Sequence, residues 1–311
     1  MENAPFFEDI AQGPAGGVAH WLTTVDGLRI RVGHWTGSDA KGTILLFPGR
    51  TEYIEKYGPA AADFLTRGYA TVAIDWRGQG MSDRTSDTYA MGDVVRFTDY
   101  QHDVNAAVNY ARALNLPEPF YLVAHSMGGC IGRRALHNAL PVKAVVFSAP
   151  MWGIMLSPVM RPVAWLASGL SRKIGMDQTL APGQTAESYV TRVDHDENTL
   201  TSDQEMFEFM QMQLTEKPQL SLGGASLRWL NESLREMRTL SKMPSPDMPC
   251  STFLGSDESI VDPARIRDRM ADWTGGALHL IAGAKHEVIL ETLEIRTRVF
   301  DTTTAFFDQH R

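Results

Sequence analysis

The sequence predicts an α/β fold with a mostly parallel central sheet, an antiparallel N-terminal edge and an inserted helical lid. Short, almost continuously apolar runs alternate with longer helical patterns in the first half of the chain, which is typical of strands covered on both faces. The same alternation resumes near the C-terminus after a long stretch of different character. With 311 residues, 43% of them hydrophobic and 21% charged, the chain has enough apolar material for a large core.

The first predicted element is an antiparallel hairpin. Residues 20–24 and 28–32 read as strands, and they flank Asp26-Gly27, a dipeptide typical of tight hairpin turns. Because a hairpin joins antiparallel neighbours, this part of the chain forms the antiparallel edge of the sheet.

Parallel strands are predicted next. Apolar, β-branched runs indicate buried strands at 43–47, 70–74, 120–124 and 144–147. Helical patterns over 53–67, 98–114 and 127–138 are long enough to form the crossovers that parallel neighbours require.

The stretch 151–249, called the cap below, is predicted to be an insertion. It is helical and amphipathic, and it ends in a proline-rich segment at 243–249 that cannot continue a helix. Strands at 251–255 and 277–281 and a helix over 263–273 then resume the earlier pattern. The predicted organisation is therefore a core formed by 1–150 and 250–311 and interrupted by the cap at 151–249.

Charge and cysteine content exclude several classes of function. Lys and Arg number 29 against 37 Asp and Glu, a net charge of −8, which argues against a nucleic-acid partner. Cys130 and Cys250 are too few for a disulfide framework or a structural zinc site and are expected to be free thiols. The mixed acidic and histidine run at 194–197 favours a solvated loop over a metal site, so we expect none. The N-terminus has no secretory pattern and no apolar run is long enough to span a bilayer, so we expect a cytoplasmic protein whose membrane contact, if any, is peripheral.

Ser126 is the predicted nucleophile. It lies between an apolar strand and a helix in the sequence Ala124-His125-Ser126-Met127-Gly128, close to the G-x-S-x-G pattern of a nucleophile elbow. Ala124 replaces the first glycine, a mild departure because alanine is also small. An ordinary role for Ser126 as a helix N-cap is the alternative.

A serine nucleophile needs a histidine base and a carboxylate that orients this base. His286 follows the strand at 277–281 and precedes the last helix, which is the place expected for the base. Three acids, Asp257, Glu258 and Asp262, follow the strand at 251–255, and from the residues alone the acid stays open among them.

These motifs resemble the lysophospholipase and monoacylglycerol lipase branch of the serine α/β-hydrolases, especially the bacterial lysophospholipases. The resemblance extends from Thr43 to Phe307 and rests on three segments: FPGRTEY at 47–53, DWRGQGMS at 75–82 and HSMGG at 125–129. It implies the α/β-hydrolase fold, and it places Glu258 where that family usually has aspartate, so Glu258 is preferred over Asp257.

The resemblance also implies an oxyanion hole formed by the backbone N–H groups of Arg50 and Met127. Whether the Arg50 side chain instead pairs with a carboxylate at the pocket rim stays open. No cofactor and no metal is implied.

The expected function is cofactor-free hydrolysis of carboxylic esters of acyl lipids, lysophospholipids or monoacylglycerols, through an acyl-enzyme. An aminopeptidase of the same fold, with Glu187, Asp194 or Glu197 receiving the amino group, is one alternative, and a non-catalytic ligand-binding protein is another. The apolar, locally cationic segment 151–176 either contacts lipid or packs onto the core. The sequence leaves the oligomeric state open.

Overall fold

A computed structural model describes residues 1–157 and 159–311. The strands are β1 (Glu2–Ala4), β2 (Val18–Thr23), β3 (Arg29–Trp35), β4 (Thr43–Phe47), β5 (Ala70–Asp75), β6 (Phe120–His125), β7 (Val145–Ser148), β8 (Cys250–Gly255) and β9 (Ala277–Ile281). The α-helices are α1 (Glu8–Ala11), α2 (Gly58–Thr66), α3 (Tyr100–Ala113), α4 (Met127–His137), α5 (Met160–Lys173), α6 (Tyr189–Arg192), α7 (Gln204–Glu216), α8 (Leu227–Ser241), α9 (Pro263–Ala271) and α10 (Leu293–Asp308). Short 3-10 helices cover Ile54–Tyr57, Phe97–Asp99, His195–Glu197, Pro218–Leu220 and Val288–Leu290.

The strands form one mixed sheet in the order β1-β2-β3-β5-β4-β6-β7-β8-β9. Strands β1, β2, β3 and β5 pair antiparallel, and all pairs from β5 through β4 to β9 are parallel. In the middle of the sheet, Leu46 pairs with Ala73 on one side and Val123 on the other. The prediction of a mostly parallel α/β sheet with an antiparallel N-terminal edge is confirmed.

Two local features differ from the prediction. Strand β1 is short and lacks an apolar alternation, and it is a strand only because it pairs with β2, with Ala4 opposite Ala19. The helix expected over 53–67 is divided into a 3-10 turn and α2, which begins at Gly58. A Cβ at Gly58 would lie 1.8 Å from the carbonyl oxygen of Ala11, so this glycine permits a close approach of the chain to α1.

The carboxyl ends of the parallel strands lie along one edge of the sheet, and this arrangement positions the site. The loop after β4 carries Arg50, the turn after β6 carries Ser126, and the loops after β8 and β9 carry Glu258 and His286. In open α/β sheets this edge is where ligands bind.

Helices α5 to α8 lie in the sequence between β7 and β8. Helix α5 packs against α8, and the Asn231 side chain donates a 3.0 Å hydrogen bond to Ser168 Oγ between them. None of the helices in the described parts of the chain combines the length and the apolar character needed to cross a bilayer.

Candidate active site

Ser126 lies in a strained turn between β6 and α4. Its backbone has φ 48° and ψ −117°, a conformation that residues other than glycine rarely adopt. The turn brings α4 so close to β4 that a Cβ at Gly128 would lie 2.1 Å from the carbonyl oxygen of Phe47. The Ser126 hydroxyl makes no capping hydrogen bond with α4, so a simple N-cap role does not describe this serine.

His286 contacts Glu258 and not the neighbouring acids. Its Nδ1 lies 2.6 Å from Glu258 Oε2, and both side chains are buried. Glu258 Oε1 accepts the backbone N–H groups of Ile260 and Val261 at 2.6 and 3.0 Å. Burial by itself raises the pKa of Glu258, but the bond from His286 and these two N–H groups lower the pKa below the ordinary value, so the carboxylate stays ionised.

The other two acids have different contacts. Asp257 is exposed, and it accepts a hydrogen bond from the Ser256 hydroxyl. Asp262 is the N-cap of α9 and accepts the backbone N–H groups of Ala264 and Arg265. Neither carboxylate makes a hydrogen bond or an ion pair with His286.

Ser126 and His286 line one cavity of about 440 Å³, although no hydrogen bond joins the serine hydroxyl to the imidazole among the described residues. Much of the wall is apolar, and part of it comes from the segment 151–249. The apolar lining residues include Met151, Ile154, Leu156, Val190, Met210, Leu214, Trp229, Leu230, Ile260 and Val261. Ser126 and His286 therefore face a space suited to an apolar substrate group.

The two predicted oxyanion donors are unoccupied. Within the described residues, the backbone N–H groups of Arg50 and Met127 donate to no acceptor. The Gln79 side chain holds the loop around Arg50, because its Nε2 donates to the Gly49 carbonyl and its Oε1 accepts the Thr51 N–H. Donors without an acceptor are what the predicted oxyanion hole requires.

The Arg50 side chain does not pair with a carboxylate. Its Nη1 donates to the Gly223 carbonyl at 3.0 Å, and the guanidinium lies 5.6 Å from the ring centre of Trp229. No ion pair among the described residues includes it, so the alternative of a carboxylate pair at the rim is wrong for this structure.

A buried charge network lies directly behind the serine and the histidine. The Lys56 ammonium bridges Glu52 at 2.8 Å and Glu287 at 2.6 Å. Glu287 Oε2 also lies 3.3 Å from His125 Nε2, and the His125 ring centre is 4.8 Å from that of His286. The network thus connects His125, which precedes Ser126, with Glu287, which follows His286, and with Glu52 in the loop of Arg50.

The ionisation of this network follows from its pairing. Burial lowers the pKa of Lys56 and of His125, but Glu287 and Glu52 outweigh it and raise both pKa values. Burial raises the pKa of Glu287, yet His125 and Lys56 hold the pKa well below the ordinary value. Glu52, His125 and Glu287 also place ligand atoms close enough for a metal ion. The Lys56 ammonium already supplies positive charge to the two carboxylates, so this trio is better described as an ion-pair cluster.

A family model described as serine aminopeptidase, S33, matches residues 38–293. The chain belongs to this family. Among curated relatives, this S33 protein is 28% identical to the probable lysophospholipase L2 of Haemophilus influenzae over 273 residues, which cover 87% of this chain and 85% of the relative. It is 26% identical to lysophospholipase L2 of Escherichia coli K12, with 93% of this chain and 87% of the relative covered.

Solved structures match the fold of this S33 protein. A soluble variant of monoglyceride lipase from Saccharomyces cerevisiae superposes with a TM-score of 0.71 at 21% identity, and 94% of each chain is covered. A carboxyl esterase from Bacillus coagulans gives 0.75 at 14% identity, with 96% of this chain and 99% of the other covered. The resemblance to lysophospholipases and monoacylglycerol lipases is confirmed, and so is the α/β-hydrolase fold.

The buried charge network and the role of Gln79 were not predicted from the sequence. Glu52 and Glu287 lie within two positions of Arg50 and His286, so adjacency to the motifs was the available signal. Lys56 carries no such signal, because its contact with Glu287 joins residues 231 positions apart.

Proposed function

We propose that this protein is a serine hydrolase that cleaves carboxylic esters of acyl lipids, with lysophospholipids or monoacylglycerols as substrates. The observation that carries the proposal is that Ser126 and His286 face the same largely apolar cavity. Such a cavity accommodates an acyl chain, and the strained turn presents the serine hydroxyl at its wall. The names of the two bacterial lysophospholipase relatives support the lipid class.

In the proposed reaction, His286 takes the proton of the Ser126 hydroxyl while Oγ attacks the ester carbonyl carbon. The Arg50 and Met127 N–H groups donate to the resulting oxyanion, and Glu258 stabilises the imidazolium. His286 then gives the proton to the departing glycerol oxygen, which leaves an acyl-enzyme. A water molecule, deprotonated by His286, attacks the acyl carbon, releases the fatty acid and restores Ser126. The scheme uses no cofactor and no metal.

The test is loss of the nucleophile. Ser126→Ala is expected to abolish p-nitrophenyl butyrate hydrolysis and to prevent covalent labelling by a fluorophosphonate, while the thermal unfolding midpoint stays close to that of the wild type. Hydrolysis by the pure variant at more than about one percent of the wild-type rate would contradict the assignment, because removal of the nucleophile leaves only binding and oxyanion stabilisation.

An aminopeptidase activity is the second proposal to test, since the family name carries it. It requires a free carboxylate in the cavity for the substrate ammonium. Of the three acids considered for this task only Glu187 lines the cavity, and it is exposed; Glu52 and Glu287, which also line it, are paired with Lys56. We therefore expect acyl esters to be cleaved and aminoacyl anilides to be poor substrates, and the reverse order would favour the peptidase.

We also propose that the cap, residues 151–249, roofs the cavity and that α5 touches a lipid surface. One side of α5 packs inward through Ala164 and Trp165, and the opposite side exposes Leu166 and Leu170, whose exposed fractions are 72% and 51%. Lys173 near its end adds positive charge suited to anionic head groups. The alternative of packing onto the core thus describes the inner side of α5, and the alternative of lipid contact describes its exposed side.

The membrane contact is tested by sedimentation with vesicles containing phosphatidylglycerol. A double variant with Leu166→Glu and Leu170→Glu is expected to lower the fraction of protein bound to vesicles. A control variant with two Glu replacements at exposed positions on α3 is expected to leave this fraction unchanged. Equal binding of the α5 variant and the α3 control would refute the contact. A cytoplasmic location stays a prediction.

A further inference from the structure

Arg50 is a partly buried cation on the cavity wall without an anionic partner. Of its side-chain donors only Nη1 has an acceptor among the described residues, the Gly223 carbonyl, and this leaves Nε and Nη2 available. Lys56, the neighbouring cation on the same wall, is bridged to two carboxylates instead. The protein thus neutralises Lys56 but not Arg50, and Arg192, the third cation of the wall, is exposed.

Arg50 stays charged in this position. Burial lowers the pKa of its guanidinium to about 10, which still leaves the group cationic at neutral pH. A desolvated charge without a counter-ion costs free energy, and a bound anion offsets that cost. The Trp229 ring and the Gly223 carbonyl hold the guanidinium in place, so little side-chain entropy is lost when a ligand binds.

We propose that the Arg50 guanidinium binds the phosphodiester of a lysophospholipid head group and thereby makes lysophospholipids better substrates than monoacylglycerols. The inference rests on the proposed ester hydrolysis and narrows its substrate class. The backbone N–H of the same residue is a proposed oxyanion donor, so the side chain begins next to the reacting carbonyl. In a lysophospholipid the phosphate lies one glycerol backbone from that carbonyl, which is within the length of an arginine side chain. A monoacylglycerol offers only neutral hydroxyls at this distance.

Arginine suits a phosphate ester in particular. Its planar guanidinium presents parallel N–H donors that match two phosphate oxygens, and such charge-assisted bonds are stronger than neutral ones. Glu187 is the one carboxylate of the wall without an ion pair among the described residues, and it is exposed. The carboxylates nearer the base, Glu52 and Glu287, are held by Lys56 and do not compete for Arg50.

The test compares kcat/KM for 1-palmitoyl lysophosphatidylcholine and 1-palmitoylglycerol, which share the acyl chain and the ester. The wild type is expected to prefer the lysophospholipid. Arg50→Gln keeps the backbone N–H but removes the charge, and we expect it to lower the preference ratio by about tenfold to a hundredfold, as the loss of a charge-assisted hydrogen bond does. Arg50→Lys is expected to recover part of the ratio, and Arg112→Gln, an exposed charge on α3 outside the cavity wall, to change it less than about twofold.

A second arm identifies the source of the phosphate. Glycerophosphocholine is expected to inhibit p-nitrophenyl butyrate hydrolysis competitively in the wild type and more weakly in Arg50→Gln. Equal inhibition by inorganic phosphate at the same concentration would show that the site recognises free phosphate and not the lipid head group, and this would overturn the proposal. So would a preference ratio that is the same in wild type and Arg50→Gln. A wild-type enzyme that cleaves neither lipid and takes no fluorophosphonate label would instead overturn the proposed function itself.

Discussion

Replacement of Glu258 by glutamine tests the proposed orientation of the base. Glu258 Oε1 accepts two backbone N–H groups while Oε2 faces His286 Nδ1 at 2.6 Å. In Glu258→Gln the amide oxygen keeps the two backbone donors, so the NH2 group faces Nδ1. The imidazole must then carry its proton on Nε2, and it cannot accept the serine proton there.

The expected loss is large. Forcing the wrong tautomer in a serine triad costs about 10³ to 10⁴ in kcat, which corresponds to about 4 to 5.5 kcal/mol of activation free energy. The charge that stabilises the imidazolium is lost in the same substitution. The apolar residues that would contact the acyl chain lie elsewhere on the cavity wall, so we expect KM to change little.

The assay is steady-state hydrolysis of p-nitrophenyl butyrate, with thermal unfolding as the check on folding. Asp257→Asn is the matched control, because it makes the same chemical change in the adjacent, exposed acid, and it is expected to keep kcat within about threefold. The reasoning is refuted if Glu258→Gln keeps more than a tenth of the wild-type kcat, or if Asp257→Asn is the more damaging change.

Three further predictions concern packing and charge. Gly128→Ala would place a Cβ 2.1 Å from the Phe47 carbonyl oxygen, so we expect urea unfolding to show a loss of at least about 3 kcal/mol, and a loss under about 1 kcal/mol would contradict the tight turn. Lys56→Met would leave two buried carboxylates without their shared ammonium; we expect about 3 to 5 kcal/mol of destabilisation, and an unchanged unfolding midpoint would argue against the ion-pair cluster. Burial lowers the pKa of His34 from 6.5 to about 4, so the unfolded chain takes up a proton that the folded protein excludes between those values. The free energy of unfolding should therefore fall by about 1 to 2 kcal/mol between pH 7 and pH 5, allowing for the partial exposure of the ring, and His34→Gln should flatten this slope. A slope unaffected by that substitution would show that other groups cause it.

Local pattern was sufficient for the architecture and for most of the proposed site. Apolar runs such as 43–47 and 120–124 identify buried parallel strands because both faces of such strands are covered. The apolar run at 277–281 also located β9, although this edge strand is largely exposed. Ser126 and His286 were identified because each follows a strand at the sheet edge where loops converge. Helix termini were less accurate, as at 53–67, because the close approach at Gly58 is a tertiary contact.

Contacts between distant segments decided the rest. Three acids stood on one loop, and only the folded backbone determined that Glu258 reaches His286 while Asp257 points to solvent. The same holds for Arg50, whose lack of a carboxylate partner depends on where the Gly223 carbonyl and Trp229 lie. The order of apolar and polar residues in the sequence indicates which residues are buried, because the free energy gained on burial is roughly proportional to the apolar area of each side chain. The attraction between two charges weakens with the distance between them. Ion pairs are therefore determined only when the fold brings the partners to within a few ångströms of each other.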